Sequence, residues 1–304
     1  MTDSVGHVPE SVKQRLINLS RKRGVPANEL MQFYAMERFL YRLGSSPYRD
    51  RLILKGALML QAWRLSQTRS TRDIDLLGMT SNELDHIARL VKDICVVDIP
   101  RDDGMQYVPD SVQAIRIKED AEYEGVRVTF KAFMGSARLP MQIDIGFNDV
   151  ITPGPQPVEY PVLLDHPAPA LIGYTPETVV AEKIEAMATL DVLNSRMKDF
   201  FDIWLLSRHV PFDLMTLCAA VGKTLARRGT KLSDIPTLLK NPDVQPDKQR
   251  QWAAFLRKSP IPYAPAHFNE VAASILNFLA PVFPVLIAGN TAPRQRWSPP
   301  GPWR

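Results

Sequence analysis

Apolar positions along the chain recur at helical spacing, then at a period of two, then at helical spacing again. Residues 11 to 24 have a helical pattern that stops at Gly24, with Arg21, Lys22 and Arg23 where cations suit the helix dipole. A second helix is expected from Pro26 to Leu43, with Leu30, Phe33, Tyr34, Phe39, Leu40 and Leu43 on one face. Ser45-Ser46-Pro47 breaks it. Leu52 to Leu54 then has the character of a short buried strand, Ala57 to Leu65 of a helix, and Arg72 to Leu77 of a second strand. Ser81 is placed to N-cap a helix carrying Leu84, Ile87, Leu90, Val91 and Ile94. Beyond Asp98 the period falls to two: Gln113 to Lys118 and Val126 to Phe133 predict an antiparallel hairpin joined by Glu119 to Gly125. In a third strand, Met141 to Phe147, the apolar residues share one face and Gln142 and Asp144 the other.

Ile151 to Tyr174 is rich in proline and predicts an extended surface crossover. Thr175-Pro176-Glu177 is a helix start, and most of the chain beyond it is helical. These elements predict an α+β protein with a mixed-sheet core. The expected division is N-terminal helices over residues 1–45 packing on the core, a catalytic domain over 46–165, a helical C-terminal domain over 166–290, and a flexible basic tail over 291–304 containing Arg294, Arg296 and Arg304.

Composition narrows the class without fixing the chemistry. The 304 residues suffice for two modest domains, and 45% hydrophobic with 23% charged residues is ordinary for a globular protein. A net charge of +4 permits a polyanionic partner. Cys95 and Cys218 lie far apart and form no metal motif, which favours a reducing compartment. The first residues lack an apolar signal core. The most apolar run, Ile275 to Ala288, is short and interrupted by Pro281 and Pro284. A cytoplasmic protein with no membrane partner is expected.

Candidate chemistry gathers between Leu52 and Leu77. A strand ends in Lys55-Gly56, and one helix later comes Asp73-x-Asp75. On a strand both carboxylates face one side, and they repel unless a cation lies between them. Oxygen-only ligands beside a glycine turn suit Mg²⁺ (or Mn²⁺) holding a nucleoside triphosphate. Asp144 is the candidate third acid, as a metal ligand or as a base for the attacking hydroxyl. Lys183 is a candidate cation for the β- and γ-phosphates, and Lys55 is a second. Gly56, Arg69, Thr71 and Arg72 flank the acids and are further phosphate-site candidates. Asp199 and Asp202 share a helix face near Lys198. Basic residues Arg227, Arg228 and Lys198 are weak candidates for RNA contact. The five histidines have no metal-site spacing.

Taken together, Leu54-Lys55-Gly56, Arg69-x-Thr71-x-Asp73-x-Asp75-Leu76, Gln142-Ile143-Asp144-Ile145, Val179-Val180-Ala181-Glu182-Lys183 and Arg196-x-Lys198-Asp199-x-x-Asp202 resemble the AbiEii/AbiGii toxin family of nucleotidyltransferases, within the polymerase-β-like superfamily. The likeness follows the family order over roughly residues 45 to 210. It implies a mixed-sheet nucleotidyltransferase core with a helical C-terminal domain. It also implies Mg²⁺-dependent nucleotidyl transfer, with Asp73 and Asp75 as metal ligands, Lys183 as a catalytic or nucleotide-binding residue, and Asp199 and Asp202 as a fourth motif. One departure is Gly56-Ala57, where a Gly-Ser pair is usual, so a phosphate contact passes to backbone N–H groups or Lys55.

The resemblance implies a toxin of a toxin–antitoxin system that moves NMP from an NTP, a pyrimidine by expectation, to the 3′ acceptor end of tRNA or to another RNA. A cognate antitoxin is then the protein partner. Alternatives are nucleotidylation of a protein or small molecule, and an inactive nucleotide- or partner-binding module. A phosphate on Thr71, expected on the same strand face as Asp73, would block the metal site.

Overall fold

Leu52–Lys55 forms β1, apolar enough to be buried along its length, and it is an interior strand of a mixed sheet. The coordinates, a computed structural model, describe residues 7–65, 69, 71–120, 123–240, 246–258 and 261–304. The chain divides into two units: Met1–Asn148 with Gln156–Gly173, and Asp149–Pro155 with Tyr174–Arg304.

The first unit opens with α1 (His7–Arg23) and α2 (Ala27–Gly44), followed by β1, α3 (Ala57–Ala62), β2 (Ile74–Gly78) and α4 (Leu84–Cys95). Three long strands come next: β3 (Gln106–Asp120), β4 (Tyr123–Met134) and β5 (Ala137–Phe147). The short strands β6 (Gln156–Glu159) and β7 (Ala170–Gly173) complete it. Among the described residues, the seven strands run in the order β3-β4-β5-β2-β1-β7-β6. β2 is antiparallel to β1 and parallel to β5, and β7 is parallel to β1.

Period two explains which face is covered. Val126, Val128, Phe130, Met141, Ile143 and Ile145 are buried, while Arg127, Thr129, Gln142 and Asp144 keep partial exposure. Phe39 of α2 meets Tyr107 and Phe130 at ring separations of 5.7 and 5.3 Å. Behind them Arg42 forks onto Asp103 at 2.6 and 3.1 Å, a satisfied pair in a desolvated setting.

The second unit is mostly helical: α5 (Pro176–Leu190), a 3₁₀ turn (Asp191–Leu193), α6 (Met197–His209), β8 (Phe212–Asp213), α7 (Leu214–Arg228), α8 (Thr237–Lys240), α9 (Pro246–Lys258), α10 (Phe268–Leu279), α11 (Val282–Ala288) and β9 (Arg296–Trp297). Thr175 caps α5, its hydroxyl accepting from the Thr178 N–H. α10 and α11 meet at a 58° bend, and no single described helix is long and apolar enough to cross a membrane. Cys95 and Cys218 are both buried and unbonded, and burial pushes the Cys95 thiol up to about 12.

Several expectations need correction. Residues 151–174 are not a plain crossover: β6 and β7 extend the sheet and cover the edge β1 would otherwise present. Ser81 does not cap α4; its hydroxyl accepts from the Glu83 N–H in the preceding turn, and Glu83 takes the cap position. Residues 291–304 do not form a loose tail. β9 pairs with β8, Trp297 is buried and donates to the Ser207 carbonyl at 2.6 Å, and Trp303 stacks on Phe278. Two indoles bury far more apolar area than the nearby arginines need to keep wet. Within the hairpin connection expected over Glu119 to Gly125, residues 121–122 lie outside the described set.

Candidate active site

A single row of register partners crosses four strands on one face of the sheet. Lys55 on β1 lies opposite Asp75 on β2, Asp75 opposite Asp144 on β5, and Asp144 opposite Arg127 on β4. Directly paired positions point to the same side, so the row reads cation, acid, acid, cation. Lys55 is buried, with only 5% of its surface exposed.

Gly56 stands at the turn beside this row. Its φ of 70° and ψ of −153° suit glycine alone, and a Cβ there would strike the Asp75 carboxylate. Gly56 thus has a packing role as well as the phosphate-turn role expected of it. The helix after it is shorter than expected, ending at Ala62.

Asp73 is placed differently from expectation. β2 begins at Ile74, and Asp73 sits in a bend just ahead of it. The Thr71 hydroxyl bridges this bend, accepting from the Asp73 N–H at 3.4 Å and donating to its carbonyl at 3.3 Å. Such local bonding competes with the strand ladder and delays the strand. The strand-face argument linking Thr71 to Asp73 therefore fails, and the phosphorylation idea built on it goes with it. Arg69 is half-buried and Arg72 exposed in the same stretch.

Asp144 is clasped. Arg127 donates Nε to Oδ1 and Nη2 to Oδ2, both at 2.8 Å, while the Gln142 amide lies 3.4 Å from each oxygen. The hydrogen-bonded Asp144 carboxylate holds the guanidinium above its ordinary pKa against partial desolvation, and the fields of Asp73 and Asp75 add to the effect. One member of the expected three-acid set thus already has a cation seated on it. Among the described residues, no three His, Cys, Asp or Glu side chains are gathered at metal-holding separations. The donor set still fits a hard divalent ion: all oxygen, with Asp75 and Asp144 on adjacent strands, Asp73 just ahead of β2, and a guanidinium now supplying the positive charge. Arg127 was missed from sequence. Alternation alone assigns it to the polar face, and only strand register pairs it with Asp144.

In the second unit Lys183 on α5 contacts Asp199 at 2.8 Å and Asp202 at 3.0 Å, both on α6. Arg196 Nε lies 2.8 Å from the other Asp199 oxygen. Both carboxylates are almost fully buried, and Lys183 is 13% exposed. Burial alone would raise the Asp199 pKa; Lys183 and Arg196 overcome it and bring it below the usual carboxylate range. Of the basic residues, Arg227 and Lys198 are exposed. Arg228 is turned inward, 3.0 Å from Asp149 and 2.8 Å from Glu185, and these acids raise its pKa despite burial. That internal network, not an RNA contact, is where the structure places Arg228.

The family described as nucleotidyl transferase AbiEii toxin, of a type IV toxin–antitoxin system, matches residues 38–274. A crystal structure of a Helicobacter pylori protein provisionally described as a nucleotidyltransferase shares 14% identity and a TM-score of 0.50, covering 87% of this chain and 98% of that one. At that identity the likeness speaks for the fold. The crystal structure of JHP933 from Helicobacter pylori gives 15% identity and a TM-score of 0.47, over 86% of this chain and 94% of that one. No curated protein matches.

Proposed function

The chain belongs to the AbiEii family of nucleotidyltransferase toxins, and from that membership we propose that it transfers NMP from an NTP to the 3′ end of an RNA, tRNA first among the candidates. The observation carrying this reading is the side-by-side placement of Asp75 and Asp144 on parallel strands, with Asp73 at the bend before them. Asp73, Asp75 and Asp144 would hold Mg²⁺ or Mn²⁺. A divalent ion there would stabilise the entering and leaving oxygens of an in-line displacement at the α-phosphate.

The remaining roles fall to the protein's own groups. The alternative role for Asp144, once released from Arg127, is as the base that takes the proton of the attacking hydroxyl. Lys183 is proposed for the β- and γ-phosphates, as the family resemblance implies; Asp199 and Asp202 hold it in place. Arg227 and Lys198 remain the proposed RNA contacts. A pyrimidine NTP as donor and a protein antitoxin as partner complete the reading, in line with the type IV toxin–antitoxin family.

The test is incubation with each labelled NTP, Mg²⁺ and total tRNA. Labelled RNA is expected from the wild-type protein. Asp75→Asn should lower the rate by at least about a hundredfold, the usual scale for removing preorganised charge, with the melting curve retained. No RNA labelling from any NTP by a folded protein would overturn the RNA reading.

A further inference from the structure

This inference rests on the metal-site reading just given. Three facts converge on Arg127. It is the direct cross-strand partner of Asp144. Its guanidinium takes both Asp144 oxygens in a fork at 2.8 Å. And the acids Asp75 and Asp144 stand at neighbouring register positions without assembling, together with Asp73, into a metal-holding group among the described residues. We propose that Arg127 is a resident counter-ion that competes with the divalent ion for Asp144, so that the Arg127–Asp144 fork weakens loading of the site.

The fork takes a lone pair on each Asp144 oxygen, and the guanidinium repels a second cation at the same carboxylate, so the closed fork disfavours ion binding there. A neutral side chain at 127 removes the competitor and leaves Asp144 available. A lysine keeps the charge but loses the fork, because an ammonium cannot present two parallel N–H donors. Asp144 is only 15% exposed and Arg127 38%, so solvent weakens the pairing without abolishing it. Once free, the guanidinium stands one strand from the acids, where a substrate phosphate would be its next partner. Arg127 thus acts on the family reaction through Asp144, as a competitor for its carboxylate.

The experiment is Mn²⁺ binding, read from the EPR signal of free Mn²⁺, for wild type, Arg127→Gln, Arg127→Lys and Asp144→Asn. The same proteins are melted with and without Mn²⁺. Arg127→Gln is expected to bind Mn²⁺ roughly tenfold more tightly, with Arg127→Lys between it and wild type. Arg127→Gln should also melt lower than wild type without the ion and gain more on adding it. Equal or weaker Mn²⁺ binding by a folded Arg127→Gln overturns the proposal, since a residue that merely orients Asp144 would weaken binding when removed. Should neither wild type nor Arg127→Gln bind Mn²⁺, the metal-site reading itself falls, and this inference with it. Tight wild-type binding unchanged in Asp144→Asn would overturn the competition alone and leave a metal site built on other acids.

Discussion

Lys183 lies between two carboxylates that the fold has taken out of water, Asp199 and Asp202, and Arg196 supplies the second positive charge. Lys183→Ala should therefore cost about 3–5 kcal/mol of stability, the usual penalty for breaking a buried pair. Lost transfer in that variant would not by itself assign a phosphate role. Urea unfolding of Lys183→Ala beside the triple variant with Asp199→Asn and Asp202→Asn checks this, with the triple variant expected to be the more stable. Asp199 also sets a pH window. Its folded pKa is depressed, so its stabilisation is present above the ordinary carboxylate range and lost as pH falls through the folded value. Glu37 behaves in the opposite sense. Burial pushes it up to about 7 against the neighbouring Arg38, so its protonated form is the stable one, and stability declines as pH rises towards 7. Glu37→Gln should flatten melting temperature against pH between about 5 and 8. Gly56→Ala should lose about 2 kcal/mol or more, because it adds both a disfavoured φ and a clash with Asp75. Two isolated residues explain the limits of reading the site from sequence. Asp75 was recognisable from its spacing to Gly56 and Asp73. Arg127 was not, because its meaning lies in a partner seventeen positions away across a strand pair.

At the scale of elements, strong periodicity carried the prediction. β5 alternates as its sequence implies, with Ile143 and Ile145 buried and Gln142 and Asp144 on the other side. α2 runs where its apolar face placed it, with Tyr34, Phe39, Leu40 and Leu43 buried. What escaped was short or locally contested. β2 starts late because the Thr71 hydroxyl holds the Asp73 backbone in a bend. β6 and β7 are four residues each and gain their stability from pairing, which no local pattern announces. In the last residues prolines and arginines masked the anchoring role of Trp297 and Trp303. Trp297→Ala should destabilise the second unit by about 3–5 kcal/mol, as large aromatic truncations in cores do. A retained melting midpoint in that variant would mean that β9 and its indole contribute little.

For the molecule as a whole, the modest charge of +4 predicts modest electrostatics. If Arg227 and Lys198 supply two phosphate contacts, affinity for single-stranded RNA should fall roughly sevenfold between 50 and 200 mM salt. Arg227→Ala should halve the slope of log affinity against log salt, measured by fluorescence anisotropy. Arg228→Ala should instead destabilise the fold, because Asp149 and Glu185 would lose an inward-facing cation. The way the chain is threaded has its own consequence. It leaves the first unit after Asn148, returns for Gln156–Gly173, and leaves again. β1, made early, therefore receives its parallel neighbour β7 only when synthesis has passed Gly173. During translation the strand carrying Lys55 waits beside an open edge, and a nascent chain halted before that point holds Asp75 and Asp144 on an unfinished sheet. A premature stop upstream of β7 should thus yield an inert, aggregation-prone fragment and not a weakened toxin.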